Sequence, residues 1–156
     1  MIKRMILGLA LFLILIIFGV LYSFLNFNKA SQPKTATLGI GSYQIVAEIA
    51  DQSRAWVKGL SGRENLAPDR GMLFIFPNRE IRNFWMNGMK FSLDIIWLNG
   101  NQVVGIEENA PYPAAGGEPL AISSQEPVDQ ILELNAGAAR KFGIEVGDYL
   151  DIFIAK

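Results

Sequence analysis

The sequence predicts a mainly β domain, at the margin of α+β, preceded by one transmembrane helix. Three observations lead there. Residues 5–25, MILGLALFLILIIFGVLYSFL, carry no charge. The remaining chain breaks into short apolar runs punctuated by glycine, proline and asparagine. Most connections between those runs are short, which favours antiparallel neighbours. The expected architecture is therefore a compact antiparallel β-barrel or sandwich of about seven strands with two short helices.

The apolar segment comes first. At 1.5 Å per residue, about 20 apolar residues cross the roughly 30 Å hydrocarbon core, and a helix satisfies its own backbone polar groups there. The competing reading is a cleaved secretory signal. Its apolar part would be shorter and would end in a small-x-small site, which Asn28 two positions before Ala30 matches poorly. The expectation is an uncleaved signal-anchor with residues 1–4 as a cytoplasmic tail. Lys3 and Arg4 precede the helix, and Lys29 and Lys34 follow it. The positive-inside rule favours, by a narrow margin, a single-pass protein with its domain on the non-cytoplasmic side, periplasmic or extracellular. Residues 26–37, polar with one proline, read as a tether, and the globular domain as 38–156.

Within the domain, residues 43–49 alternate as a strand. Asp51 or Ser53 can N-cap a short helix over Ala55, Trp56 and Val57 that Gly59 ends. Residues 71–76 form a continuous apolar run stopped by Pro77, as in a buried strand. Residues 81–86 and 93–98 read as two more strands. Asn99-Gly100 signals a hairpin into 102–107. Residues 109–127 hold four prolines and two glycines and are expected to be irregular. Residues 128–134 read as a strand, 136–142 as a helix ended by Gly143, and 149–154 as the last strand.

Charge narrows the partners. The first 35 residues carry four basic groups and no acidic one, leaving ten basic against fifteen acidic residues, a net charge of −5. Such a domain lacks the basic surface that nucleic acid requires. The expected partners are the membrane, through the N-terminal helix, and an envelope protein or a small polar ligand such as a glycan. Histidine and cysteine are both absent. That removes Ser-His-Asp and Cys-His machinery and the usual ligands of zinc, haem and iron–sulfur clusters, and no cofactor is expected. A catalyst here would need carboxylates, lysine or arginine.

Four segments in register resemble one family: Lys58-Gly59-Leu60-Ser61-Gly62-Arg63; Arg70-Gly71-Met72-Leu73-Phe74-Ile75-Phe76; Phe84-Trp85-Met86-Asn87-Gly88-Met89 with Leu93-Asp94-Ile95-Ile96; and Ile131-Leu132-Glu133-Leu134-Asn135-Ala136-Gly137 with Gly143-Ile144 and Gly147-Asp148. Their order and content resemble the domain of unknown function 192 family over residues 43–154. The resemblance implies a compact β-rich domain, often behind a signal or membrane segment, and no established activity. Where many members carry Lys-Asn-Thr, this chain has Asn87-Gly88-Met89, so no role of that lysine or threonine transfers.

The candidate pocket or polar network is Arg63, Arg70, Trp85, Asp94, Glu133 and Asn135. Asp94 and Glu133 each sit inside an apolar strand run. If either points inward it must be paired, since a lone buried carboxylate is costly, and an arginine from the preceding loops is the natural partner. The alternatives are a structural ion-pair network, a ligand-binding or catalytic cleft, and plain exposure. Three functions follow: an accessory or binding domain, an enzyme acting on envelope polymers with Glu133 or Asp94 as acid or base, and a structural anchor. Phe84, Trp85, Phe91 and Trp97 could form a sugar-stacking platform, though strand aromatics are more often core. Met72, Met86 and Met89 could hold Cu(I), and Glu107, Glu108 and Glu118 a hard cation. Core packing and surface placement explain both sets more simply. The Pro111-Tyr112-Pro113 stretch could present a ring to a partner, or be a surface excursion.

Overall fold

A computed structural model describes residues 2–29, 33–114 and 116–154. The chain divides into two units, residues 1–33 and 34–156. In the first, α1 (Ile2–Lys29) is a continuous helix. Its described side chains are Ile6, Gly8 and 12–25, all exposed. Among the described residues no helix is long and apolar enough to cross a membrane. The side chains of Lys3, Arg4 and Lys29, on which orientation was read, lie outside the described residues, as do tether residues 30–32.

The second unit is mainly β. Its strands are β1 (Thr35–Ile40), β2 (Tyr43–Ala50), β3 (Arg70–Glu80), β4 (Asn83–Trp85), β5 (Leu93–Asn99), β6 (Gln102–Ala110), β7 (Ala121–Ser123), β8 (Val128–Asn135) and β9 (Asp151–Ile154). Two short helices, α2 (Ser53–Lys58) and α3 (Ala138–Phe142), complete it. All seven expected strands form. The additional pair is β1, which takes in Thr35, Ala36 and Thr37 of the expected tether, and β7, inside the segment expected to be irregular.

Seven strands build one mixed sheet in the order β6-β5-β8-β3-β2-β1-β9, and β4 pairs with β7 in a separate two-stranded sheet. Two expectations are corrected. Pairing is not wholly antiparallel: β2 and β3 are parallel, because the crossover through α2 returns the chain to the same end of the sheet. Nor does the sheet close into a barrel. One isolated bridge, Gln102 to Tyr149, ties the start of β6 to the segment before β9, with the Val103 amide donating to the Asp148 carbonyl at 2.8 Å. Within the sheet, however, β9 has β1 as its only neighbour, so closure is confined to that corner.

The central strands β3, β5 and β8 are buried on both faces over much of their length, which explains their unbroken apolar runs. One core gathers Leu73, Ile96, Leu98, Leu132 and Leu134 with Ala139 and Phe142 of α3. The other gathers Met72, Phe74, Leu93, Ile95, Trp97 and Ile131 with Leu60, Met86 and Met89. Successive residues of one strand thus serve opposite cores. Burying these side chains is worth roughly 1.5–3 kcal/mol each, the main force holding the layers together. Gly71 is dictated by this packing. A Cβ there would lie 2.7 Å from Leu134 Cδ2 and 2.8 Å from the Glu133 carbonyl oxygen.

Local signals differ in small ways. Pro77 lies within β3 rather than ending it, at the register break between Ile75 and Glu80 where no ladder bond is required of it. The β5–β6 turn residues are Gly100 and Asn101, since Asn99 pairs with Gln102; Gly100 supplies φ +58°. Gln52 rather than Asp51 or Ser53 stands at the N-cap of α2, without a side-chain bond, while Asp51 pairs with Lys34 at 2.8 Å.

Candidate functional site

Strand register sorts the candidate residues. Glu48, Met72, Glu133 and Ile95 face one another across β2, β3, β8 and β5 and therefore share a face. Asp94 opposes Leu134, one step along, and points to the opposite face. The two carboxylates do not converge.

Asp94 is fully buried, and its partners are backbone amides rather than an arginine. Its Oδ1 accepts from Asn109 N at 2.9 Å and its Oδ2 from Ala139 N at 2.8 Å. Asn109 holds φ +55°, a conformation that asparagine tolerates better than most residues. Asp94 thereby ties the end of β6 and the first turn of α3 to β5. Arg63 pairs with Glu48, which the sequence reading did not single out, through two parallel bonds of 2.6 Å. That bond, with Arg63 and Arg70 nearby, lowers the Glu48 pKa although partial burial opposes it; the same bond raises that of Arg63. Arg70 itself is exposed and lies 3.9 Å from Asp69. Asn135 donates from Nδ2 to the carbonyls of Leu66 and Ala67 at 2.9 and 3.1 Å, pinning the loop before β3. The expected single network is therefore several separate fasteners.

Glu133 is different. It is 7% exposed, its Oε2 has no hydrogen-bond partner, and burial alone raises its pKa to about 8. It is thus uncharged at neutral pH. Its side chain lines a cavity of about 150 Å³ between α2 with its following turn and β4 with its following turn. The polar lining besides Glu133 is Lys58, Ser61, Asn83 and Asn87, and Trp56, Phe84 and Trp85 supply aromatic walls. The two turns are held together by the Gly62 amide donating to the Gly88 carbonyl at 2.8 Å. Gly88 has φ +68°, which favours glycine, and a Cβ there would displace the Ser61 hydroxyl. The stretch Asn87-Gly88-Met89 contributes Asn87 and Met89 to the cavity wall.

Phe84 anchors β4 by edge-on contacts with Phe74 at 4.9 Å and Trp97 at 5.9 Å. The four-ring platform does not form, because Trp97 is 5% exposed and Phe84 and Phe91 pack on the second core. Trp85 alone presents its ring, at 65% exposure. Met72, Met86 and Met89 are buried in that same core. Among the described residues no three carboxylates cluster to hold a metal ion, and Glu108 pairs with Arg140.

A family model, DUF192, described as "Uncharacterized ACR", matches residues 36–152. The chain belongs to the DUF192 family. Two crystallised proteins share the fold. One, from Sinorhizobium meliloti 1021, has been suggested to be a transcription regulator; it is 30% identical, with a TM-score of 0.68 over 78% of this chain and 94% of its own. The other, a protein of unknown function from Novosphingobium aromaticivorans DSM 12444, is 27% identical, with a TM-score of 0.65 and the same coverage. No curated protein matches the chain. In DUF192 terms, the motif residues divide between the fasteners Arg63, Asp94 and Asn135 and the cavity group Lys58, Ser61, Trp85, Asn87 and Glu133. Lys58, Ser61 and Asn87 were legible only as members of the motifs. Asn83 carried no signal.

Proposed function

We propose that this DUF192 protein is a membrane-tethered binding domain on the non-cytoplasmic side, whose ligand seat is the cavity beside Glu133. The observation that carries the seat is Glu133, nearly buried and with Oε2 unpartnered, among the residues that line a polar and aromatic cavity. A buried polar atom left without a partner costs roughly 1–3 kcal/mol, and a ligand that completes its hydrogen bond recovers that. Support for the tether is the uncharged stretch 5–25 and the exposure of every described side chain of α1, an arrangement that lipid tolerates and water does not. Support for the non-cytoplasmic side, by a narrow margin, is Lys3, Arg4 and the α-amino group before the stretch against Lys29 and Lys34 after it.

The enzyme reading loses its second group. Two-carboxylate hydrolysis needs carboxyls roughly 5–10 Å apart; Glu133 is the only carboxyl among the described residues lining the cavity, Asp94 lies on the other face, and Glu80 in the adjoining groove is paired with Arg82. A purely structural anchor does not account for an orphaned acid beside a void.

Two measurements test the proposal. The full chain should stay with membranes through alkaline extraction, and protease should cut its domain from outside intact cells; intact protein in the soluble fraction contradicts the tether. For the seat, hydrogen exchange over residues 56–61 and 83–89 should slow with at least one member of a panel of sugars, amino-acid amides and short peptides. Unchanged exchange with every member contradicts it.

A further inference from the structure

The cavity adjoins a second, more open depression. Beyond its mouth lies a shallower groove of about 470 Å³, and the two share the walls Trp56, Val57, Asn83, Phe84 and Trp85. The inner part, about 150 Å³, is below the roughly 300–1,000 Å³ of a complete small-ligand site, whereas the groove falls within it. The shape suits a ligand that buries one ring or substituent and lays the rest along the groove. The chemistry changes between the ends. The inner end offers a carboxylic acid, the Ser61 hydroxyl and the Asn87 amide. Asn83 accepts from Ser123 Oγ at 2.6 Å through Oδ1, which leaves its Nδ2 to donate to a ligand. The mouth presents apolar surface, with Trp85 65% and Val57 84% exposed, and the groove beyond is lined by Phe76 and Ile81 together with Ser53 and the ion-paired Glu80 and Arg82.

Resting on the binding reading above, we infer that this depression takes a neutral oligosaccharide, one ring inserted toward Glu133 with its hydroxyls on Glu133, Ser61 and the two asparagines, and the next stacked on Trp85. A hydroxyl both donates and accepts, as do an un-ionised carboxyl, an amide and a serine. A pyranose also has an apolar C–H face that lies flat on an indole, and that is the surface Trp85 presents. An anionic sugar would carry its charge toward acceptor oxygens in the inner end, where Lys58 is the only cation among the described lining residues, while Arg82 in the groove is already paired with Glu80. A cationic ligand would ionise Glu133 and pair with it, and so binds with the opposite pH dependence.

The experiment uses the full chain in phosphatidylcholine nanodiscs, which carry no sugar headgroup, with tryptophan fluorescence and calorimetry as readouts. The probes are the trimer of N-acetylglucosamine, maltotriose, a galacturonic acid trimer, cadaverine and N-acetyl-alanyl-alanine amide. At least one neutral trimer should bind saturably at neutral pH, and its affinity should fall as pH rises through about 8, where Glu133 ionises. Trp85→Ala, at an exposed position, should weaken it about tenfold. Glu133→Gln, which keeps a donor and an acceptor, should bind with little pH dependence, while Glu133→Leu should not bind. Absence of any Trp85-dependent response to both neutral trimers overturns the sugar assignment. So does tighter binding of cadaverine as pH rises, or selective binding of the galacturonate. Binding of the peptide amide alone overturns it too, yet leaves the seat standing. The exchange panel above decides the seat independently.

Discussion

Asp94 and Glu133 are two buried acids on neighbouring strands, one register step apart and on opposite faces of the sheet. Each follows a leucine and precedes an aliphatic residue, so their local sequences are nearly interchangeable. Their surroundings are not. Asp94 meets backbone amides from Asn109 and Ala139 and is fully used. Glu133 meets a cavity walled by side chains and leaves Oε2 unpaired. The covering layer makes the difference: over one face lies the start of a helix with amides to satisfy, over the other the two-stranded β4–β7 sheet and a short helix, which leave a cavity. A buried carboxyl with fixed partners is a fastener, and one without them faces an opening.

Substitutions should separate the two roles. The largest loss is expected at the fastener. Asp94→Ala leaves one buried and one part-buried amide unpaired and should cost about 3 kcal/mol in urea unfolding, with Asp94→Asn losing less because one acceptor remains. A cost below about 1 kcal/mol would deny Asp94 that role.

At Glu133 the sign reverses. The folded pKa of about 8 lies above the ordinary 4.5, so the folded state holds a proton that the unfolded state gives up. The stability associated with that proton is complete below about pH 4.5 and is lost as pH rises through about 8. At about 1.36 kcal/mol per pH unit, the wild-type chain should weaken by a few kcal/mol across that window. Glu133→Gln should remove the decline and be the more stable protein at pH 8. Parallel pH profiles for the two would contradict the assignment.

Gly71→Ala, which drives a Cβ against the Glu133 carbonyl, should cost about 2 kcal/mol. It would also shift the strand that carries Glu133, so hydrogen exchange near residues 131–134 should rise with it. The smallest effect is expected at Arg63 and Glu48, whose side chains are 34% and 31% exposed and therefore partly screened. Arg63→Ala should cost about 1 kcal/mol above pH 5. Because the Glu48 pKa is lowered, the contribution is present above its ordinary 4.5 and fades as pH falls below it. A double-mutant cycle with Glu48→Gln measures it.

Much of the fold was legible because β3, β5 and β8 are buried on both faces and so announce themselves as apolar runs. β1 was hidden by composition. Thr35-Ala36-Thr37-Leu38-Gly39-Ile40 alternates properly, but its small residues follow a polar stretch and read as a continuation of it. β7 is three residues long and depends on β4 for its existence. The parallel β2–β3 pair could not be told from an antiparallel one, because a crossover through a six-residue helix resembles a loop with a helical turn. For the site, the motifs named the right residues and not their relations. Strand parity separates Asp94 from Glu133, but which face would hold amides depended on where α3 docks. The partner of Arg63 was missed because Glu48 lies in an alternating strand, where an outward acid looks unremarkable.

The central claim is that Glu133 is an un-ionised acid awaiting a partner. It is tested most directly by a ¹³C carboxyl titration of the full chain, with Glu133→Gln identifying the resonance. The account predicts a protonated carboxyl at pH 7 and a midpoint near 8. A midpoint at the ordinary 4.5 would show a charged, solvated or paired group and contradict it.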